Sequence, residues 1–184
     1  CYTAVMRCFG WVPQLAARGP VQQRALRAFE PLFPLPKSAL VTRYRLRGRS
    51  DQLAVANVHG INFSLGTGRF RKQLEAVASE LADHEGPILF GGDFNAWSRN
   101  RDEVLHEVMQ ELGLVAVVLD PDGRRLAFGH HLDHLFIRGF TVVEASAPAP
   151  ASEPLSTREV AKLVVEEALR GNTFGRPPTT REEV

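Results

Sequence analysis

The stretch Ile88-Leu89-Phe90-Gly91-Gly92-Asp93-Phe94-Asn95 carries an apolar run into two glycines and ends it at a carboxylate and a carboxamide. The run is too short for a typical helix and predicts a buried strand. Glycine weakens a strand interior, so Gly91 and Gly92 predict a bend or a close backbone approach. A buried Asp93 without a partner is costly, which requires a cation, a hydrogen-bond donor or water beside it. Two readings fit this local chemistry: a reactive carboxylate on a rigid element, or an Asp/Asn turn that ends a strand. A second cluster, His130-His131-Leu132-Asp133-His134, gathers imidazoles and a carboxylate, which are zinc-type ligands. Neighbouring residues seldom wrap one tetrahedral ion without a ligand from elsewhere. The cluster therefore reads as a polar approach to a strand with one functional residue, Asp133.

The elements that must position these groups follow from periodicity. Ser38 to Leu46 alternates, with Leu40, Thr42, Tyr44 and Leu46 on one side and Val41, Arg43, Arg45 and Arg47 mostly on the other. That pattern predicts a half-buried strand. Its arginine row reads as a solvated face; a phosphate track is the other reading. A turn at Gly48 to Asp51 and a strand at Gln52 to His59 complete an antiparallel hairpin. Phe70, Leu74, Val77 and Leu81 form one apolar stripe across a helix at Gly66 to His84. A second helix, with Asn100 as N-cap and Glu103 at N3, presents Val104, Leu105, Val108, Met109 and Leu112 and closes at Gly113. Leu114 to Leu119, Leu135 to Phe140 and Thr141 to Ala145 read as short strands. Strands mixed with helices predict an α/β (α+β) fold, a mixed sheet covered by helices.

The ends of the chain read differently. Tyr2 to Met6 suggests a strand and Gln22 to Phe29 a short helix, after which Pro31, Pro34 and Pro36 interrupt regular structure. Ala147 to Pro154 reads as a linker. Ser156-Thr157-Arg158-Glu159 is a capping box that opens a helix reaching Gly171, and Asn172 to Val184 reads as disordered. Three regions are thus expected: an irregular N-terminal remainder at 1–36, a core at 37–147, and a linker, helix and tail at 148–184. The start at Cys1 suggests a chain that lacks its natural beginning.

With 184 residues, 44% hydrophobic and 23% charged, the composition is that of an ordinary globular domain. A net charge of +1 gives no general pull toward nucleic acid. Cys1 and Cys8, the only cysteines, make no disulfide framework and match no zinc spacing, so a reducing, cytoplasmic setting is the expectation. No apolar run is long enough to span a membrane.

Three motifs occur in order: Asn57-Val58-His59, Gly91-Gly92-Asp93-Phe94-Asn95 and Leu132-Asp133-His134. With the run from Pro36 to Tyr44, they resemble the endonuclease/exonuclease/phosphatase superfamily of DNase I-like, metal-dependent phosphodiesterases. The succession is most similar to a bacterial branch of it. The resemblance covers roughly Pro36 to Ala147. It implies a partial DNase I-like layered β-sandwich, and hydrolysis of a phosphodiester or phosphomonoester by a nuclease or phosphatase dependent on Mg²⁺ or Mn²⁺. The partner would be a phosphate-ester substrate, with nucleic acid among the options. It also implies roles: Asp93 orients or deprotonates the water, Asn95 contacts the phosphate or aligns the site and shares the metal with Asp93, His59 donates to the scissile phosphate, and Asp133 orients an imidazole near the C-terminus.

The departures matter equally. The family's metal-binding glutamate has no match here, since Glu30 sits between prolines in a different context. The family's terminal Ser-Asp-His segment is replaced by Ala151-Ser152-Glu153-Pro154-Leu155. The resemblance therefore implies an impaired enzyme, or alternatively a non-catalytic derivative that binds a phosphorylated ligand or a protein. It also implies one geometric condition. His59 and Asp93 end their strands while Asp133 begins its own, so they meet only if the strand of Asp133 runs antiparallel to the other two.

Overall fold

The computed structural model describes residues 5–7, 20–30, 36–142 and 144–147. Among these, the order of elements is β1 (Val5–Arg7), β2 (Gln22–Phe29), β3 (Pro36–Arg45), β4 (Gln52–His59), α1 (Gly68–Ser79), β5 (Ile88–Asp93), α2 (Arg99–Glu111), β6 (Val115–Ala116), β7 (Leu126–Ala127), β8 (His130–His131), β9 (Asp133–Arg138) and β10 (Glu144–Ser146). The main sheet has six strands in the order β2-β3-β4-β5-β9-β6. It is mixed: β4 and β5 run parallel, joined through α1, and the other neighbours are antiparallel. The fold is α+β, as the pattern of elements predicts. Two small ladders, β1 with β10 and β7 with β8, complete it.

Strand parity sorts the side chains between two faces. One face carries Ala39, Val41, Ala54, Ala56, Val58, Ile88, Phe90 and Phe136, packed against Phe70, Leu74 and Val77 of α1 and Leu105, Val108 and Met109 of α2. The other carries Leu89, Leu135 and Ile137, packed with Val117, Leu119 and Ala145. The hairpin of β3 and β4 and both apolar helix stripes match the sequence expectation.

Four expectations need correction. Gln22–Phe29 is a strand, not a helix: Leu26 and Ala28 are half-buried while Arg27 and Phe29 are exposed, a period of two, and pairing with β3 outweighs local helix propensity. With β1 and β2, the segment 1–36 is accordingly not wholly irregular. The arginine-bearing face of β3 is solvated only at its end, where Arg45 and Arg47 are exposed; nearer its start it is the helix-facing one. Ala39 and Val41 are buried there, and Arg43 reaches back to the Glu80 carbonyl and to Gln22. Finally, Ser98, not Asn100, precedes α2, and its carbonyl accepts from the amides of Arg101 and Asp102. The expected linker, helix and tail at 148–184 lie outside the described residues, as does Cys1.

Candidate active site

His59, Asp93 and Asp133 form one row across three adjacent strands. His59 pairs with Asp93 across the parallel β4–β5 ladder, and Asp93 pairs with Asp133 across the antiparallel β5–β9 ladder. The strand of Asp133 thus runs opposite to the other two, as the geometric condition requires. Residues in register lie on the same face about 4.5–5.5 Å apart, and here that face is the one turned away from α1 and α2. His59 Nε2 lies 3.9 Å from Asp93 Oδ2.

The strand ends are shaped by close backbone approaches. Gly92 has φ 147°, and a Cβ there would sit 2.1 Å from the Val58 carbonyl oxygen. Only glycine lets β5 come this near β4 at that backbone angle. A Cβ on Gly60 would meet the Phe94 carbonyl oxygen at 2.3 Å. Of the two expectations for the double glycine, a bend or a close backbone approach, the second is met at Gly92, between the two strands that carry His59 and Asp93.

Asn95 is buried, at 5% exposure, with a left-handed φ of 53°. Its amide N–H donates to Asp93 Oδ1 at 3.0 Å, and its Nδ2 donates to the Gly60 carbonyl at 2.9 Å. The Gly60 amide in turn donates to the Asp93 carbonyl at 2.7 Å. Asn95 is thus a strut between the loops that follow β4 and β5. One oxygen of Asp93 is held and the other is left toward His59.

Four residues that sequence reasoning does not single out as functional complete the surroundings. Glu30 is almost fully buried. Its carboxylate accepts from the amides of Asn62 at 2.7 Å and Phe63 at 2.8 Å, and Lys37 Nζ stands 3.6 Å away. With both oxygens taken, Glu30 anchors the loop after β4. Lys37 donates to His59 Nε2 at 2.6 Å, so it bridges that anchor and the row. Arg101 is 1% exposed. Its guanidinium donates to the carbonyls of Asn95 at 2.8 Å and Ile61, and to Ser64 Oγ at 3.2 Å, and it lies 4.2 Å from the Phe70 ring centroid. It ties both loops to α2. Gln73 of α1 adds a further tie, donating to the His59 carbonyl and accepting from the Ile61 amide. The Glu-Pro boundary after Phe29 is a usable signal for Glu30; nothing local marks Lys37 or Arg101.

Electrostatics follow from burial and neighbours. Burial, then the adjacent Asp93 carboxylate, push Asp133 up to about 6. Burial, then the Lys37 ammonium, hold His59 below its ordinary value, against the pull of Asp93. Burial holds Arg101 down to about 10, still charged at neutral pH. Asp133, held toward its neutral form beside the Asp93 carboxylate, marks a place where a cation gains most. Its donors are hard oxygens, which suit magnesium or manganese. His130 and His131 stay out of the row: they form β8, and His131 stands 3.4 Å from Asp122. A cavity of about 260 Å³ between β2 and α1, lined by Leu26, Phe29, Ala39, Ile61, Arg69 and Lys72, contains none of the row residues.

No protein-family model matches the chain. Over 136 residues it is 48% identical to a "UPF0294 protein" of Yersinia pseudotuberculosis, which covers 73% of this chain and 52% of that protein. Over 135 residues it is 45% identical to a "UPF0294 protein" of Klebsiella pneumoniae, covering 73% and 51%. The chain spans about half the length of these curated relatives. Similar solved structures include an endonuclease/exonuclease/phosphatase of Bacteroides vulgatus, with TM-score 0.46 and 12% identity over 65% of this chain and 54% of that one. They also include the human Nocturnin catalytic domain, with TM-score 0.45 and 19% identity over 64% and 47%. Among the described residues, no helix is long and apolar enough to cross a membrane.

Proposed function

We propose that this chain carries part of the site of a divalent-metal-dependent phosphoester hydrolase, a nuclease or phosphatase of the endonuclease/exonuclease/phosphatase type. The observation that carries this reading is the in-register row of His59, Asp93 and Asp133 at one end of three central strands. Asp93 orients the attacking water and takes its proton, its Oδ1 fixed by the Asn95 amide and its Oδ2 free to act. His59 and Lys37 together face an incoming phosphate with donor groups, Lys37 now holding the His59 ring. Asp93 and Asn95 would hold the metal; with Nδ2 of Asn95 committed to Gly60, its Oδ1 is the atom available. Magnesium or manganese bound there supplies positive charge to the phosphoryl oxygens. Asp133 adds a second carboxylate that attracts the metal to the row, and the imidazole that it would orient in the resembled family has no counterpart in the chain. The core at 37–147 with Glu30 is the working unit in this reading, in a cytoplasmic setting that the cysteine usage favours.

The test is hydrolysis of bis-p-nitrophenyl phosphate and p-nitrophenyl phosphate with Mg²⁺ or Mn²⁺. Weak turnover that requires the metal and disappears in Asp93→Ala is the expected result. Absent turnover combined with retained inorganic phosphate binding would instead favour a non-catalytic phosphate binder, the alternative that the missing glutamate and terminal histidine support.

A further inference from the structure

We propose that Asp102, His106 and His134 form a second metal site, for a borderline-soft divalent transition ion of the zinc type, which pins α2 to β9. Asp102 and His106 stand one turn apart on α2, and their nearest ligand atoms are 3.7 Å apart. His134 projects from β9 on the helix-facing side, with Nε2 4.0 Å from Asp102 Oδ1. One ligand atom from each of the three lies within 4.8 Å of the others. A tetrahedral ion with bonds of about 2.0–2.1 Å separates its ligand atoms by about 3.3 Å. The three groups therefore close around one ion with movements of about 1 Å. The half-exposed side chains of Asp102 and His106, at 39% and 48%, are free to make them.

The chemistry and the surroundings both favour an ion of this class. Two imidazoles and one carboxylate suit zinc, cobalt or nickel, whereas magnesium prefers an all-oxygen set. The exposed side leaves the fourth position to water. The His134 ring is fixed before any ion arrives: it stacks on Phe136 at 6.0 Å and meets Phe94 edge-on at 6.0 Å, while His106 meets Phe136 at 5.4 Å. Nε2 of His134 also lies 3.0 Å from the His131 carbonyl. Ligation exchanges that hydrogen bond for the metal. The site is distinct from the row because Asp133 and His134, adjacent on one strand, point to opposite faces of the sheet.

The probe is Co²⁺ added to tag-free protein, followed by visible absorption, with Zn²⁺ competition to measure affinity. The expected result is one tetrahedral cobalt spectrum per chain, displaced by Zn²⁺ but not by a large excess of Mg²⁺. His106→Ala and Asp102→Ala should each weaken binding by at least about 10–100-fold, the loss seen when even outer partners of a metal are removed. Both side chains are half-exposed at the flank of α2, so the fold tolerates the changes. Asp93→Ala should keep the spectrum. Wild-type affinity in both α2 variants, or loss of the spectrum in Asp93→Ala, would overturn the proposal.

Discussion

Asp133 and His134 are neighbours on β9, yet they belong to different chemical settings. Asp133 lies on the face turned away from the helices, in line with Asp93 and His59. His134 lies under α2 among Phe94, Phe136 and His106. Burial acts on both and drives each toward its neutral form, but the directions are opposite. Asp133 is pushed up to about 6, and His134 down to about 4. The away-facing row concentrates carboxylates that need a counter-charge. The covered side offers an uncharged nitrogen donor. A single strand thus supplies hard oxygen on one face and soft nitrogen on the other, simply by alternating.

The largest expected effect concerns the first of these faces. If Asp93 orients and deprotonates the water, Asp93→Ala should cut metal-dependent phosphoester hydrolysis by roughly 10²–10⁴-fold, measured as kcat/KM. An unchanged rate would remove the row from the chemistry.

Next comes the tie between faces. Arg101 reaches from α2 beneath both loops. Arg101→Met keeps much of the stem's bulk but leaves buried carbonyls of Ile61 and Asn95 without donors. It should lower unfolding free energy by about 3 kcal/mol in urea titration. A loss under about 0.5 kcal/mol, the ordinary scale of surface changes, would show that the loops hold without it.

Acid titration sharpens the comparison further. Asp133 has a raised pKa, so the folded state binds its proton more tightly than the unfolded chain does. Its contribution is fully favourable below the ordinary carboxylate value near 4 and is lost as pH rises to about 6. His134 has a lowered pKa, so it costs stability at low pH, and that cost fades as pH rises from about 4 toward 6.5. The two slopes oppose each other in one window. Asp133→Asn should therefore gain about 1–3 kcal/mol at pH 7.5, because a tenfold change in proton affinity is worth about 1.36 kcal/mol, and nothing below pH 4. The variant's stability should then climb with pH across the window. A pH-independent gain would assign the effect to packing.

The smallest effect tests Lys37. Removing its ammonium in Lys37→Met should raise the His59 pKa slightly, followed by NMR titration of the ring, because Lys37 is second only to burial among the causes holding it down. A fall would mean that the methionine desolvates the ring by more than the lost ammonium relieves it.

Much of this site is legible in the order of residues, because strand parity is a strict rule. His59, Asp93 and Asp133 each end or begin an alternating or apolar run, and once the runs are taken as strands the antiparallel course of β9 follows. Asn95 is legible as a candidate, but its burial and its bond to Gly60 are not, since they depend on how two loops meet. Lys37 and Glu30 escape because the residues of β2 read as a helix; their approach exists only through the β2–β3 ladder. Arg101 has the look of an ordinary residue in a helix's first turn, and its burial is decided by loops about 6 and 40 positions earlier in the chain. The cluster of Asp102, His106 and His134 joins a helix to a strand across the core, a distance no local pattern encodes.

The register of β9 against β5 has a further meaning for folding fidelity. A slip of one residue would exchange the two faces entirely. His134 would enter the row beside Asp93, and Asp133 would be driven under α2 among phenyl rings. The repulsion between Asp93 and Asp133 favours such a slip, so the native alignment has to be imposed by something stronger. Phe136 does this: in register with Phe90 and fully buried against Phe94, it fits only on the helix side. The aromatic core thus acts as the proofreader of the strand, holding two like charges in an alignment that they would not choose themselves.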